Sequence, residues 1–232
     1  MKIKIIKSGS SGNCYSVFDG ETKILIECGI TIKEIKKALD FKLSDISGCI
    51  VSHIHKDHSK AMPDLTKAGI DCYASIETIE DMLLSGHRIH QLSPMNTFCI
   101  GTYTIMPFDT QHDCAGSCGF LIQSKNGKKL VFATDTFYIK YIFNSINIWM
   151  IECNYSKELL YKNIESGIIS PAIKNRILKS HFSLDNVKKF FQANDMSMCE
   201  QIYLLHLSRD NSDVKLFETE IKKITGKPVK AC

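Results

Sequence analysis

A chain of 232 residues with 44% apolar composition suits one compact domain, expected over residues 1–232, or at most a closely fused pair. No stretch approaches the roughly 18 continuous apolar residues of a membrane span, and the opening MKIKIIKSGS is too short in its apolar part for a signal peptide, so a cytoplasmic protein without membrane contact is expected. The net charge of +4, carried almost wholly by Lys with only three Arg, marks solvated faces and permits a polyanionic partner without demanding one.

Residues 2–7 alternate Lys and Ile, the pattern of a half-buried strand. Strands follow at 14–18 and 23–28, with turns at SGSSGN and DGET. In TIKEIKKALD (31–40), Ile32, Ile35 and Leu39 fall at helical spacing, and Thr31 is placed to cap. A buried-type strand over 46–52 leads into a run of histidines. A helix over 62–69, a short strand at 71–74 and a helix over 76–85 come next. From 97 to 151 the pattern turns to strands: TFCI, YTIMPF, GFLIQS, KLVFAT and INIWMIEC, with KNGK as the turn between two of them. Residues 157–195 read as helical, Pro171 near the start of one helix and Ser183 capping another. QIYLLHLS is a further strand and 213–225 a last helix. Two blocks of strands, each followed by helices, suggest an α/β fold built as a four-layer αββα sandwich. Ten cysteines without a CxxC motif read as small buried residues rather than a disulfide framework. Cys114 and Cys118, flanking a Gly-Ser turn, come nearest to a redox pair.

The stretch IVSHIHKDHS, residues 50–59, places three of the eight histidines within six positions, directly after an apolar strand. A His-x-His pair in an extended loop puts two imidazoles, His53 and His55, on one side, where they can chelate an ion. Asp57 and His58 can face a second position. Imidazole and carboxylate together suit zinc, manganese or iron. The spacing is not the HExxH of a helical metalloprotease site.

HIHKDH resembles the HxHxDH signature of the metallo-β-lactamase fold. That resemblance implies further ligands after later strands. His112 in FDTQHDCAGSCGF, Asp135 in LVFATDT and His206 in IYLLHLS stand in the implied order. Two divalent ions, zinc or manganese, are then expected. His53, His55 and His112 would hold one, Asp57, His58 and His206 the other, and Asp135 would bridge them.

Several segments resemble the YycJ/WalJ-type subgroup of single-domain nucleases: SGSSGNCY, QHDCAGSCGF, ATDT, IECNYS and HLSRDN. KSHFSLDN resembles that subgroup's GHLSN with Asn186 two places late, and Glu27 stands where the fold usually has Asp. A carboxylate there braces the metal loop. The implied activity is a phosphodiesterase or exonuclease acting on DNA or RNA through a hydroxide activated by two metals. Asp57 would orient or deprotonate the nucleophile and His181 would protonate the leaving oxygen. Ser10, Ser11 and Asn13 of the Gly/Ser turn, Ser183 and Arg209 are candidate substrate contacts, although the turn also has a purely conformational reading. The partner would be nucleic acid or a nucleotide, and the enzyme compact and capable of forming a homodimer. A cyclic-nucleotide phosphodiesterase, a lactone or thioester hydrolase, and a non-enzymatic metal-binding protein are the alternatives in that order.

Overall fold

The computed structural model describes residues 1–232, the side chain of Pro171 excepted. The chain forms two compact units, Met1–Asp109 with Cys114–Lys128, and Thr110–Asp113 with Lys129–Cys232.

In the first unit, β1 (Lys2–Lys7), β2 (Cys14–Phe18) and β3 (Lys23–Ile26) form an antiparallel meander. After β3 the chain crosses through α1 (Ile32–Ala38), so that β4 (Ile46–Ile50) pairs with β3 in parallel, Ile26 opposite Ile50. Thr31 and Glu34 cap α1 reciprocally, the Thr31 hydroxyl accepting from Glu34 N and the Glu34 carboxylate from Thr31 N. Beyond β4 come α2 (Lys56–Ser59), α3 (Met62–Lys67), β5 (Cys72–Ser75), α4 (Ile76–Asp81) and β6 (Ile89–Leu92). The six strands lie in chain order. A core of Leu25, Ile35, Cys49, Val51, Met62, Leu65 and Cys72 packs between this sheet and its helices. β7 (Phe98–Ile100), β8 (Tyr103–Asp109) and β9 (Cys118–Ser124) run antiparallel in the same unit. The KNGK turn closes after β9, with Ser124 N donating to Lys128 O and Gly127 at φ 78°.

In the second unit β10 (Lys129–Ala133), β11 (Ile148–Glu152), β12 (Gln201–Leu205) and β13 (Val229–Ala231) are parallel throughout. Its helices are α5 (Lys157–Glu165), α6 (Pro171–Ser180), α7 (Leu184–Ala193) and α8 (Val214–Thr225). Every residue of β11 is buried, as expected of a central parallel strand. Leu184, Val187, Phe190 and Phe191 form the buried face of α7. Phe190 and Phe191 meet Trp149 of β11 edge-on, at ring separations of 5.6 and 5.7 Å. Burying each such side chain stabilises the fold by about 1.5–3 kcal/mol.

The elements follow the sequence expectation with three differences. The short helix α2, beginning at Lys56 within the histidine run, is not among the expected elements. β6 and β13 were not expected: IHQL carries apolar residues only at its ends, and VKA is three residues long. The ten cysteines carry thiols, with no disulfide among the described residues. No helix among those residues is long and apolar enough to cross a membrane.

Candidate metal centre

Parallel strands deliver their carboxyl ends to one edge, where ligands of open α/β sheets gather. In the first unit the chain leaves β3 at Glu27 and β4 at Val51, and the histidine cluster follows. His53 and His58 are fully buried, their rings 4.2 Å apart. His55 meets His53 edge-on at 4.9 Å. The Ser52 hydroxyl is 2.8 Å from His53 Nδ1 and orients the buried ring. Asp57, with 27% of its side chain exposed, has Oδ2 3.3 Å from His58 Nε2.

This loop is clamped from three sides. Ser59 donates its hydroxyl to Ile54 O and His55 O, closing the turn on itself. Asn13, fully buried, donates from its backbone to Asp57 O at 2.7 Å, and its Nδ2 lies 3.1 Å from His58 Nε2. Asn13 Oδ1 accepts from Gly9 N and the Tyr15 hydroxyl. A Cβ on Gly29 would lie 1.6 Å from Asp57 O, so only glycine admits this approach. Glu27 is fully buried and accepts from Ser52 N at 3.3 and 3.4 Å, with Oε2 3.6 Å from His58 Nδ1. Glu therefore provides the brace expected of the usual Asp, through long contacts and a backbone at φ 63°.

In the second unit the register of β10, β11 and β12 sets Asp135, Glu152 and His206 side by side. Asp135 and His206, like Glu27, adopt left-handed backbone at φ 47° and 53°. Such conformations in non-glycine residues cost about 1–3 kcal/mol each and gather at functional sites. His206 Nδ1 is 3.3 Å from Asp135 Oδ1 and 3.5 Å from Glu152 Oε1. Asn154 donates to His206 O at 2.7 Å and its Nδ2 lies 3.2 Å from His206 Nδ1. His112 Nε2 stands 3.7 Å from Asp135 Oδ2. His181, between α6 and α7, stacks on His206 at 5.5 Å and holds Glu152 Oε1 at 2.6 Å through Nδ1.

Glu152 is the hub of this group. Its Oε2 also accepts from Thr136 N at 2.9 Å and Phe182 N at 3.2 Å. Burial alone would push its carboxyl up, but the charge of His181 and hydrogen bonds from His181 and His206 hold it below the usual carboxylate range. Burial likewise disfavours the charged His181 ring, and the Glu152 carboxylate outweighs this and raises its pKa.

Glu152 is an acid that closes an otherwise wholly apolar strand, a signal that singles it out only once the fold buries it beside His181. The substrate contacts expected at Asn13 and Ser183 fall on buried side chains with other work. Asn13 braces Asp57 and His58, and Ser183 caps α7, accepting from Asn186 N at 3.2 Å. Ser10 and Ser11 stand exposed on their turn, and Arg209 is exposed three residues beyond His206.

The donor chemistry fits divalent metal. Ligand atoms of Asp135, Glu152, His181 and His206 all lie within 4.8 Å of one another. The first unit offers three further imidazoles and a carboxylate on one short loop. Oxygen and imidazole donors in this mixture suit zinc, manganese or iron.

The model of the beta-lactamase superfamily domain matches residues 22–206, running through both units. Exodeoxyribonuclease YycJ of Bacillus anthracis is 27% identical, with 97% of this chain and 89% of the relative aligned. Exodeoxyribonuclease WalJ of Streptococcus pneumoniae is 29% identical, covering 91% of this chain and 83% of the relative. Among solved structures, the metallo-β-lactamase fold protein YhfI of Bacillus subtilis superposes with a TM-score of 0.78 at 15% identity, covering 99% of this chain and 95% of that one. The expected α/β fold class, that of the metallo-β-lactamases, is met.

Proposed function

This chain belongs to the beta-lactamase superfamily domain family, and from that premise we propose that it is a metal-dependent nuclease cutting phosphodiester bonds of DNA or RNA from an end. His53, His55 and His112 would hold one zinc or manganese ion, Asp57, His58 and His206 a second, and Asp135 both. Bound there, the ions would supply Lewis-acid charge beside the phosphoryl group and make water more acidic. The full-length likeness to two exodeoxyribonucleases supports the substrate class. Ten thiols suit the reducing cytoplasm.

The observation that carries the reading is the Glu152–His181 contact of 2.6 Å beside Asp135 and His206. A sugar alkoxide leaves phosphorus poorly unless it gains a proton. Glu152 fixes His181 through Nδ1 and favours its charged form, so Nε2 is the nitrogen left to protonate the departing oxygen. Asp57, the most open acid of the first-unit loop, takes the proton of the attacking water. Bond making and leaving-group protonation thus fall to different residues.

A substrate panel with added manganese or zinc tests this. It comprises 5′-phosphorylated single-stranded DNA, RNA, cyclic mononucleotides and a lactone. Cleavage of the polymers to mononucleotides is expected. Turnover of cyclic nucleotides or the lactone with the polymers untouched would overturn the reading. Asp57→Ala should abolish nearly all turnover while metal content, read by elemental analysis, largely persists.

A further inference from the structure

The loop after Asp135 and helix α7 enclose a groove of about 530 Å³ within the second unit. It starts two residues beyond Asp135, and Phe182, the neighbour of His181, lies in its wall. Phe137, Tyr138 and Ile142 line it yet are 37, 54 and 66% exposed. These side chains do not dangle from a loose segment. Thr136 donates its hydroxyl to Tyr138 O at 2.8 Å, Asn186 reaches Phe137 O at 3.3 Å, and Phe143 N donates to Asn194 Oδ1 at 2.7 Å. The loop is tied down at both ends while presenting its apolar faces to water. Lys140 and Lys189 are exposed at the rim, and no acidic side chain is among the lining residues.

Fixed aromatic faces with cations at the edge, and no carboxylate, match one ligand chemistry. Bases stack on the rings while the phosphates between them meet the lysines. A purely apolar peptide would use the rings and leave the lysines idle. The volume falls in the range, roughly 300–1,000 Å³, that encloses small organic ligands, which suits a nucleotide or two and not a duplex. We propose that this groove is a stacking platform for unpaired bases of a single strand, holding the substrate next to the His181 end of the site. The proposal rests on the nuclease reading and narrows it to single-stranded or frayed ends.

Fluorescence anisotropy on the full chain loaded with manganese tests it, using phosphorothioate-linked strands of about 12 units that resist cleavage. Oligothymidylate should bind about tenfold or more tightly than an abasic strand of equal length and charge, as expected of stacked bases. Phe137→Ala/Tyr138→Ala should remove most of that difference, with its fold verified by circular dichroism. Tyr138→Ala alone, at a largely exposed position, should remove part of it. Lys189→Ala should weaken both strands alike and flatten their salt dependence. Equal binding of the two strands by the unaltered protein, preference for duplex, or full discrimination by the double variant would each overturn the proposal. Binding is read without turnover, so a protein that cleaves nucleic acid without distinguishing bases from abasic sites would sink the groove and leave the nuclease reading standing.

Discussion

Glu152 Oε1 and His181 Nδ1 are 2.6 Å apart, although 29 residues separate them in the chain, and Glu152 is closed to water. The carboxylate engages Nδ1 of the ring and favours its proton. Glu152→Gln keeps the shape and removes the charge. It should lower kcat on DNA by about 10²–10⁴-fold, the usual worth of a placed general acid, with KM little changed. On bis(p-nitrophenyl) phosphate, whose leaving group departs without a proton, the loss should be much smaller. Equal losses on both substrates would show that Glu152 only holds the fold.

Gly29 packs directly on the carbonyl of Asp57. Gly29→Ala would place a Cβ 1.6 Å from that oxygen, with backbone on both sides and no flexible tip to yield. The loop carrying Asp57 and His58 must shift. A destabilisation of about 2–4 kcal/mol in urea unfolding is expected, from overpacking of a rigid site, together with weaker metal retention. A variant with an unchanged urea midpoint would show that the loop accommodates the methyl.

The capping box of α1 gives an acid dependence of stability away from the site. Hydrogen bonds from the Thr31 hydroxyl and backbone, helped by Lys7, lower the Glu34 pKa to about 2. A carboxyl depressed in the folded state contributes stability above its unfolded value, near 4.5, and that contribution fades as pH falls toward 2. The urea midpoints of the unaltered protein and Glu34→Gln should therefore differ at pH 7 and draw together as pH falls from about 4.5 toward about 2. Thr31→Ala should cost about 1 kcal/mol at neutral pH.

Metal binding to the folded chain should appear as thermal stabilisation. With free zinc or manganese at about 100 times its dissociation constant, mass action adds roughly 2.7 kcal/mol. Chelation should lower the unfolding temperature and metal should restore it. His53→Ala or His206→Ala should shrink that shift, and an undiminished shift in both would exclude these side chains as ligands.

The proposed ligand positions are legible because each follows an apolar strand with an abrupt polar residue: VSHIHKDH, VFATD and YLLH. Strand ends are local events, and periodicity marks them. Glu152 obeys the same rule but reads as an ordinary exposed strand terminus until the fold buries it beside His181. Asn13 and Gly29 were harder, since their work depends on a carbonyl 44 and 28 residues away. No window of sequence contains that approach. Ser183 reads as a cap and is one, its buried hydroxyl accepting from Asn186 N. β6 and β13 escaped because their pairing with β5 and β12, not their own pattern, makes them strands.

Glu27, Asp135 and His206 share left-handed backbone at the exits of three strands. Glycine would sit more comfortably at each, so random substitution selected only for heat resistance should tend to erase these side chains. Selection for turnover must hold them against that pull. Under the proposed metal centre, the working residues of this chain are among its least restful, and its ceiling of thermal stability is set partly by the chemistry they carry.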